Sequence, residues 1–248
     1  MTLRAVLIFA PVLLCIILTI SSCAQHNNSK DAPVQPLSSA QSDAEWEEKN
    51  HAAMQALQQG KKEEAKSLLL DALKLANAFG QQDIRLGATL NNLASIHDSE
   101  GKYVDAEKYY EQALLIFEKS PHPDNPGLIA ILTNLARLEG NQSEFAKASF
   151  NYKRALELEE KLLGTQHCDV ALTLCALADI YSRQEKYLLA DPLYKQALVI
   201  EVKLLGRDNP LALSHLENYA RFVRKMNRGG EADRLEALAR KIRGERKK

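Results

Sequence analysis

From about residue 45 to the C-terminus, apolar residues return at spacings of three, four and seven. That interval sets them on one stripe of an α-helix. The stripe itself recurs about every 42 residues. Ala65, Ala106, Ala148, Ala190 and Ala232 stand 41, 42, 42 and 42 apart, and seven residues beyond each lies another alanine: Ala72, Ala113, Ala155, Ala197 and Ala239. In the middle units an aromatic precedes the first alanine by three (Tyr103, Phe145, Tyr187) and another follows it by four (Tyr110, Tyr152, Tyr194). Upstream of these runs lie matching segments: Leu90-Asn91-Asn92-Leu93-Ala94, Leu132-Thr133-Asn134-Leu135-Ala136, Leu174-Cys175-Ala176-Leu177-Ala178 and Leu216-Glu217-Asn218-Tyr219-Ala220. Alanine at a crossing lets two helices approach closely, and aromatics fill the wider gap beside it. The pattern predicts an all-α chain of helical hairpins, none able to bury its apolar face alone, each completed by stacking on the next.

Punctuation supports the same division. Asn125-Pro126 and Asn209-Pro210 put a capping side chain before a proline at the first helical position, and His167-Cys168 takes the equivalent place between them. Gly60 and Gly101 fall at hairpin turns. Pro192 is expected early in its helix, where a missing N–H is tolerated. Glu157, Glu159 and Glu160 read as exposed helix charge.

At this point the residues resemble the tetratricopeptide repeat (TPR) in its 42-residue, kinesin-light-chain form. The likeness is carried by Leu90 to Ala94, Gly101-Lys102-Tyr103, Asp105-Ala106-Glu107 and Tyr110-Glu111-Gln112-Ala113-Leu114, with Leu162-Leu163-Gly164 and Leu204-Leu205-Gly206 closing second helices. It implies an α-solenoid of about five hairpins wound as a right-handed superhelix over 44–248, in units near 46–84, 85–126, 127–168, 169–210 and 211–246. The first helices are then expected to line a concave groove for a protein or peptide partner. Asn92, Asn134 and Asn218 match the family's groove asparagine, and Asn91 adjoins it. Ala176 interrupts the series. Further along that face come Ser95, Arg137, Asp179 and Arg221, flanked by Asp98, Asn141, Arg183, Arg224 and Lys225. The guanidinium groups suit carboxylates, so an acidic peptide segment is the expected ligand. His97 is expected to pack into the groove floor.

The first residues break the period. Met1-Thr2-Leu3-Arg4 is a short positive start, and Ala5 to Ile20 is apolar, too short to span a bilayer and suited to a secretory signal. It ends at Ile20-Ser21-Ser22-Cys23. This resembles a bacterial lipoprotein signal (1–22), which implies cleavage before Cys23 and diacylation of that cysteine as the new N-terminus. Two or three acyl chains anchor stably where one does not. Ala24, in place of the aspartate that marks inner-membrane retention, implies the outer membrane, facing the periplasm. Residues 23–43, with Asn27-Asn28-Ser29, Pro33, Pro36 and Ser38-Ser39, read as a flexible tether with a reach of about 25 Å.

Composition narrows the rest. About 71 of 248 residues are Leu or Ala, against 11 Gly and 8 Pro, which disfavours β structure. Lys+Arg and Asp+Glu are both 32, so net charge gives no reason to expect nucleic acid. From Arg221 onward, however, there are 11 basic and 4 acidic residues, a segregation that steers an acidic partner or meets anionic lipid headgroups. No catalytic constellation, phosphate loop or HExxH is present, so no enzyme and no cofactor are expected. The six histidines show no metal-ligand spacing. Cys168 and Cys175, about 10 Å apart if on one helix, are too distant for a disulfide and read as small buried thiols. The expected function is a membrane-anchored adaptor or scaffold. A self-associating structural lipoprotein and a pilotin-like factor for pili or secretion are the alternatives.

Overall fold

The computed structural model describes residues 39–121 and 125–245; the expected signal, Cys23 and most of the tether lie outside the described residues. Ten helices follow one another: α1 (Ser39–Gln58), α2 (Lys62–Phe79), α3 (Ile84–Ser99), α4 (Tyr103–Glu118), α5 (Pro126–Asn141), α6 (Phe145–Leu163), α7 (Cys168–Arg183), α8 (Tyr187–Leu205), α9 (Pro210–Lys225) and α10 (Gly229–Glu245). No strand occurs among the described residues. Each helix packs on the next, which makes an α-solenoid of five hairpins, α1/α2 to α9/α10. α1 starts at Ser39, upstream of the expected boundary at residue 44, and its early turns already bind the second hairpin. Asp43 pairs with Arg85, and the Trp46 indole N–H donates to Thr89 Oγ1 at 2.9 Å.

The alanine positions of the repeat are the crossing points. Ala65, Ala106, Ala148, Ala190 and Ala232 have no exposed surface, nor do Ala72, Ala113, Ala155 and Ala197. Tyr110, Tyr152 and Tyr194 are buried beside them. Burial disfavours the phenolate and lifts the Tyr110 and Tyr152 pKa values to about 12. Phe117 shows how closely the units fit. Its ring lies between the backbones of α3 and α5, so that a Cβ added at Gly87 or Gly127 would stand 2.7 or 2.4 Å from ring carbons.

First helices begin with side-chain caps. Asp83, Asn125, His167 and Asn209 accept from the backbone N–H two residues on, at 2.7 to 3.2 Å. His167 thus caps as its asparagine counterparts do. Within hairpins the turn is the same five times. Gly60, Gly101, Ser143, Glu185 and Asn227 all have φ between 59° and 76°. The N–H of the residue after each, Lys61 through Arg228, reaches back to the carbonyl five residues before it, as in Lys61 to Ala56 at 2.9 Å and Glu144 to Glu139 at 2.8 Å. This is a Schellman closure. Glycine, legible at the first two turns, gives way to serine, glutamate and asparagine at the next three.

Pro192 departs from expectation. It is the sixth residue of α8, past the N–H groups that a helix leaves free anyway, so α8 forgoes the bond to the Leu188 carbonyl. Leu188 is 87% exposed, so solvent can take that role at an outer surface. The two described cysteines are free and share α7, as their spacing requires.

Left-handed backbone costs a side chain of glutamate type about 1 kcal/mol that glycine does not pay. Glu185→Gly should therefore raise the denaturation midpoint by the equivalent of about 1 kcal/mol, and Gly101→Ala should lower it by a similar amount. Urea unfolding followed by circular dichroism checks both; equal midpoints would remove the turn from the list of constraints.

Candidate functional site

Successive first helices meet each other directly as well as through their own partners, α3 with α5 and α5 with α7. They therefore line the tighter, inner side of the stack, and the side chains expected to form a groove sit there. On it runs a relay of four asparagines. The Asn134 amide donates to Asn91 Oδ1 at 3.1 Å, Asn91 to Asn92 Oδ1 at 3.4 Å, and Asn92 to Asn50 Oδ1 at 2.9 Å. All four are half-buried and bridge α1, α3 and α5. An amide has two N–H donors and an oxygen with two lone pairs, so each keeps bonding capacity for a ligand backbone. Asn50 belongs to this row, one period before Asn92, in a unit whose sequence lacks the aromatic markers.

The row stops at Ala176, and the charged residues beyond it are engaged in several ways. Arg137 binds Asp98, whose side chain is almost wholly buried. Arg183 lies over the Phe145 ring at 4.7 Å. Asp179 is exposed to solvent yet crowded; loss of hydration holds its carboxyl above the usual range, while the Tyr194 hydroxyl donates to it and the fields of His215, Arg221 and Lys225 oppose the shift. Arg221 donates to Asn218. Asn141 and Lys225 are exposed at the ends of α5 and α9. Arg224 turns away from this row towards α10, binding Asp233 at 2.7 Å and Glu236 at 2.9 Å. His97 packs at 5.4 Å from the Tyr109 ring, and desolvation lowers its pKa.

A second set of groups lies between hairpins. Glu159, expected on the surface, is 3% exposed at the end of α6, where it accepts from the Thr173 hydroxyl of α7 at 2.9 Å. The reason is positional: Glu159 and Glu201 continue the column of Ala76 and Phe117, which faces the next unit. Glu201 is fully buried and 2.6 Å from His215 Nδ1 of α9. Within the third hairpin, Glu139 of α5 is also buried and accepts both N–H bonds from Asn151 of α6 at 3.0 and 2.9 Å. Burial raises the Glu139 and Glu159 pKa values to about 7, against hydrogen bonds from Asn151 and Thr173 that favour the anion. Close to Glu201 stands the buried thiol of Cys175. One ligand-type atom from each of Cys175, Glu201 and His215 lies within 4.8 Å of the other two. Sequence spacing concealed this trio, since its members are 26 and 14 residues apart on three helices.

A cleft of about 500 Å³ opens elsewhere, between α2 and α4 around the start of α3, lined by Leu73, Asn77, Leu86, Tyr109, Gln112 and Ile116 among others. No helix among the described residues is long and apolar enough to cross a membrane.

The fold and this inner face define a tetratricopeptide-type solenoid. Residues 85–161 and 151–200 match the family model of the tetratricopeptide repeat, so this stretch carries TPR repeats. Among solved structures, the chain is similar to the kinesin-light-chain-type TPR-like repeats of Podosopora anserina (22% identity over 81% of this chain and 95% of that one, TM-score 0.72). It is similar also to BtubC (BKLC) from P. vanneervenii (23%, 84% and 90%, TM-score 0.73) and to the apo form of RapI (14%, 82% and 72%, TM-score 0.70). At these identities the likeness is one of fold. No curated protein matches the sequence.

The raised carboxyl pKa values set a pH dependence. Folded Glu139 and Glu159 keep protons that the unfolded chain releases near 4.5. Their contribution to stability is therefore complete below about 4.5 and is lost as pH rises through about 7, to the extent of up to about 3 kcal/mol each. Glu139→Gln and Glu159→Gln should each flatten the fall in stability between pH 5 and pH 8 (about the window those pKa values span). Unfolding midpoints measured across that range test it; an unchanged slope in both variants would mean that other groups set the dependence.

Proposed function

We propose that the protein is a non-enzymatic adaptor that holds a peptide segment of a partner protein along the inner face of its first helices, while acyl chains on Cys23 moor it to a bacterial membrane. The observation that carries the reading is the asparagine row Asn50, Asn91, Asn92 and Asn134. Amides held in register along one face recognise an extended backbone whatever its side chains. The exposed Arg221 and Lys225, continued by the basic stretch from Arg221 onward, favour an acidic segment at the far end. Anchoring rests on the apolar run, Ser21-Ser22-Cys23 and the polar stretch that follows. Ala24 favours the outer membrane and the periplasmic side. Two-dimensional confinement then turns partner capture into a local search.

Self-association is a second reading, favoured by the apolar residues that second helices show to solvent. Leu188, Leu189, Val199 and Val202 of α8 are 46 to 87% exposed. Light scattering after size exclusion separates the two readings, a monomer at micromolar concentration supporting the adaptor.

Cys23→Ser should abolish acyl labelling and move the protein to the soluble periplasmic fraction; retention in the membrane fraction would overturn the anchor. Asn134→Ala combined with Arg221→Glu and Lys225→Glu should weaken capture of the cross-linked envelope partner by about tenfold or more, equivalent to about 1.4 kcal/mol, with helicity unchanged. Undiminished capture by that variant would place the partner on another face.

A further inference from the structure

We propose that Cys175 of α7, Glu201 of α8 and His215 of α9 form a binding site for a divalent transition-metal ion of the zinc type, which rivets the last hairpin to the one before it. Three helices converge here, and the three ligand-type atoms already lie within 4.8 Å of one another. Cys175 and Glu201 are buried, while the imidazole keeps an edge near the surface, 13% exposed, through which an ion enters.

Without an ion the trio is poorly satisfied. Glu201 is fully buried, and while Oε1 faces His215 Nδ1 at 2.6 Å, Oε2 has no hydrogen-bond partner. The Cys175 thiol is buried beside that carboxylate. A divalent cation answers the buried carboxylate. Thiolate, carboxylate and neutral imidazole carry charges of −1, −1 and 0, so an M²⁺ ion makes a neutral centre, the arrangement a low-dielectric interior tolerates best. Binding breaks the Cys175 S–H bond, forms a sulfur–metal bond and releases that proton to the buffer, while the proton between His215 Nδ1 and Glu201 Oε1 passes to Nε2 so that a neutral imidazole offers its Nδ1 lone pair. Sulfur, imidazole nitrogen and carboxylate oxygen together suit zinc or cobalt rather than calcium or magnesium, and leave a fourth position for water. Coordination at about 2.0–2.1 Å from nitrogen and oxygen asks those two atoms to part to about 3.3 Å, a small side-chain adjustment.

The repeat supplies its own control. One unit earlier, the same three columns hold Thr133, Glu159 and Thr173, and two units earlier Asn91, Phe117 and Ile131. Glu159 repeats the buried carboxylate with an unpartnered Oε2, answered only by the Thr173 hydroxyl. The thiol and the imidazole are added together at the one place where their side chains meet around that carboxylate.

Cobalt titration of the detergent-solubilised full-length protein, stripped of metal by chelation, tests this. The wild type and Cys168→Ser should bind one Co²⁺ with thiolate-to-cobalt charge transfer and the strong visible bands of a tetrahedral site, releasing one proton per ion. Cys175→Ser should lose the charge-transfer band, and His215→Ala should bind more than about 100-fold more weakly, a larger loss than outer partners cause. Zn²⁺ added to the wild type should slow amide exchange in α7, α8 and α9 selectively, a readout that does not depend on any variant folding. Absence of a saturable thiolate band in the wild type, its persistence in Cys175→Ser, or Zn²⁺ protection spread evenly over the chain would each overturn the proposal.

Discussion

Close approach of two helices at an alanine governs this molecule. Ala65, Ala106, Ala148, Ala190 and Ala232 are sealed at the crossings, and a larger side chain there would push each hairpin apart. Once the helices touch at that distance, the chain between them has room for a tight reversal only. Five Schellman turns with one residue each in left-handed backbone follow. Aromatic and leucine side chains then fill the diverging space, and the exposed remainder of each hairpin's apolar stripe finds cover on the next unit.

That architecture divides polar groups into two kinds. Those of the first helices meet their counterparts 39 to 43 residues away, as in Asn92 with Asn50, Asn134 with Asn91 and Arg137 with Asp98. They hold successive units in register and still border solvent on the inner face. Those at the ends of second helices are sealed between units, where Glu159 and Glu201 replace the phenylalanine of the earlier one. The same stacking that presents an amide row to a partner thus buries carboxyls where apolar contact would be cheaper.

Much of the architecture is legible in the chain because alanine, aromatic and cap positions recur with one period. The Asn125 and Asn209 caps, the capping place of His167 and the break at Ala176 all follow from it. What the period hid was variation within a column. Glu159 looks like helix surface charge until it is set under Phe117, and the Cys175, Glu201 and His215 cluster exists only after α7, α8 and α9 have packed. Side-chain partners were equally out of reach. Arg224 shares a sequence neighbourhood with Arg221, yet the offset of about 60° that three residues leave on a helix points it to Asp233 and Glu236 on α10. The left-handed turns at Ser143 and Glu185 carry no glycine, because tertiary packing over-determines a backbone that local preference would avoid.

The Phe117 clamp makes the junctions of this rod unequal. Between α4 and α5 an aromatic ring is gripped by two glycine backbones, while the later junctions are bridged through hydrogen-bonded acids. In a nearest-neighbour stack, opening proceeds from the seam that yields first. The Phe117 seam is closed by shape alone and is indifferent to pH, whereas the acid-bridged seams follow the protonation of their carboxyls.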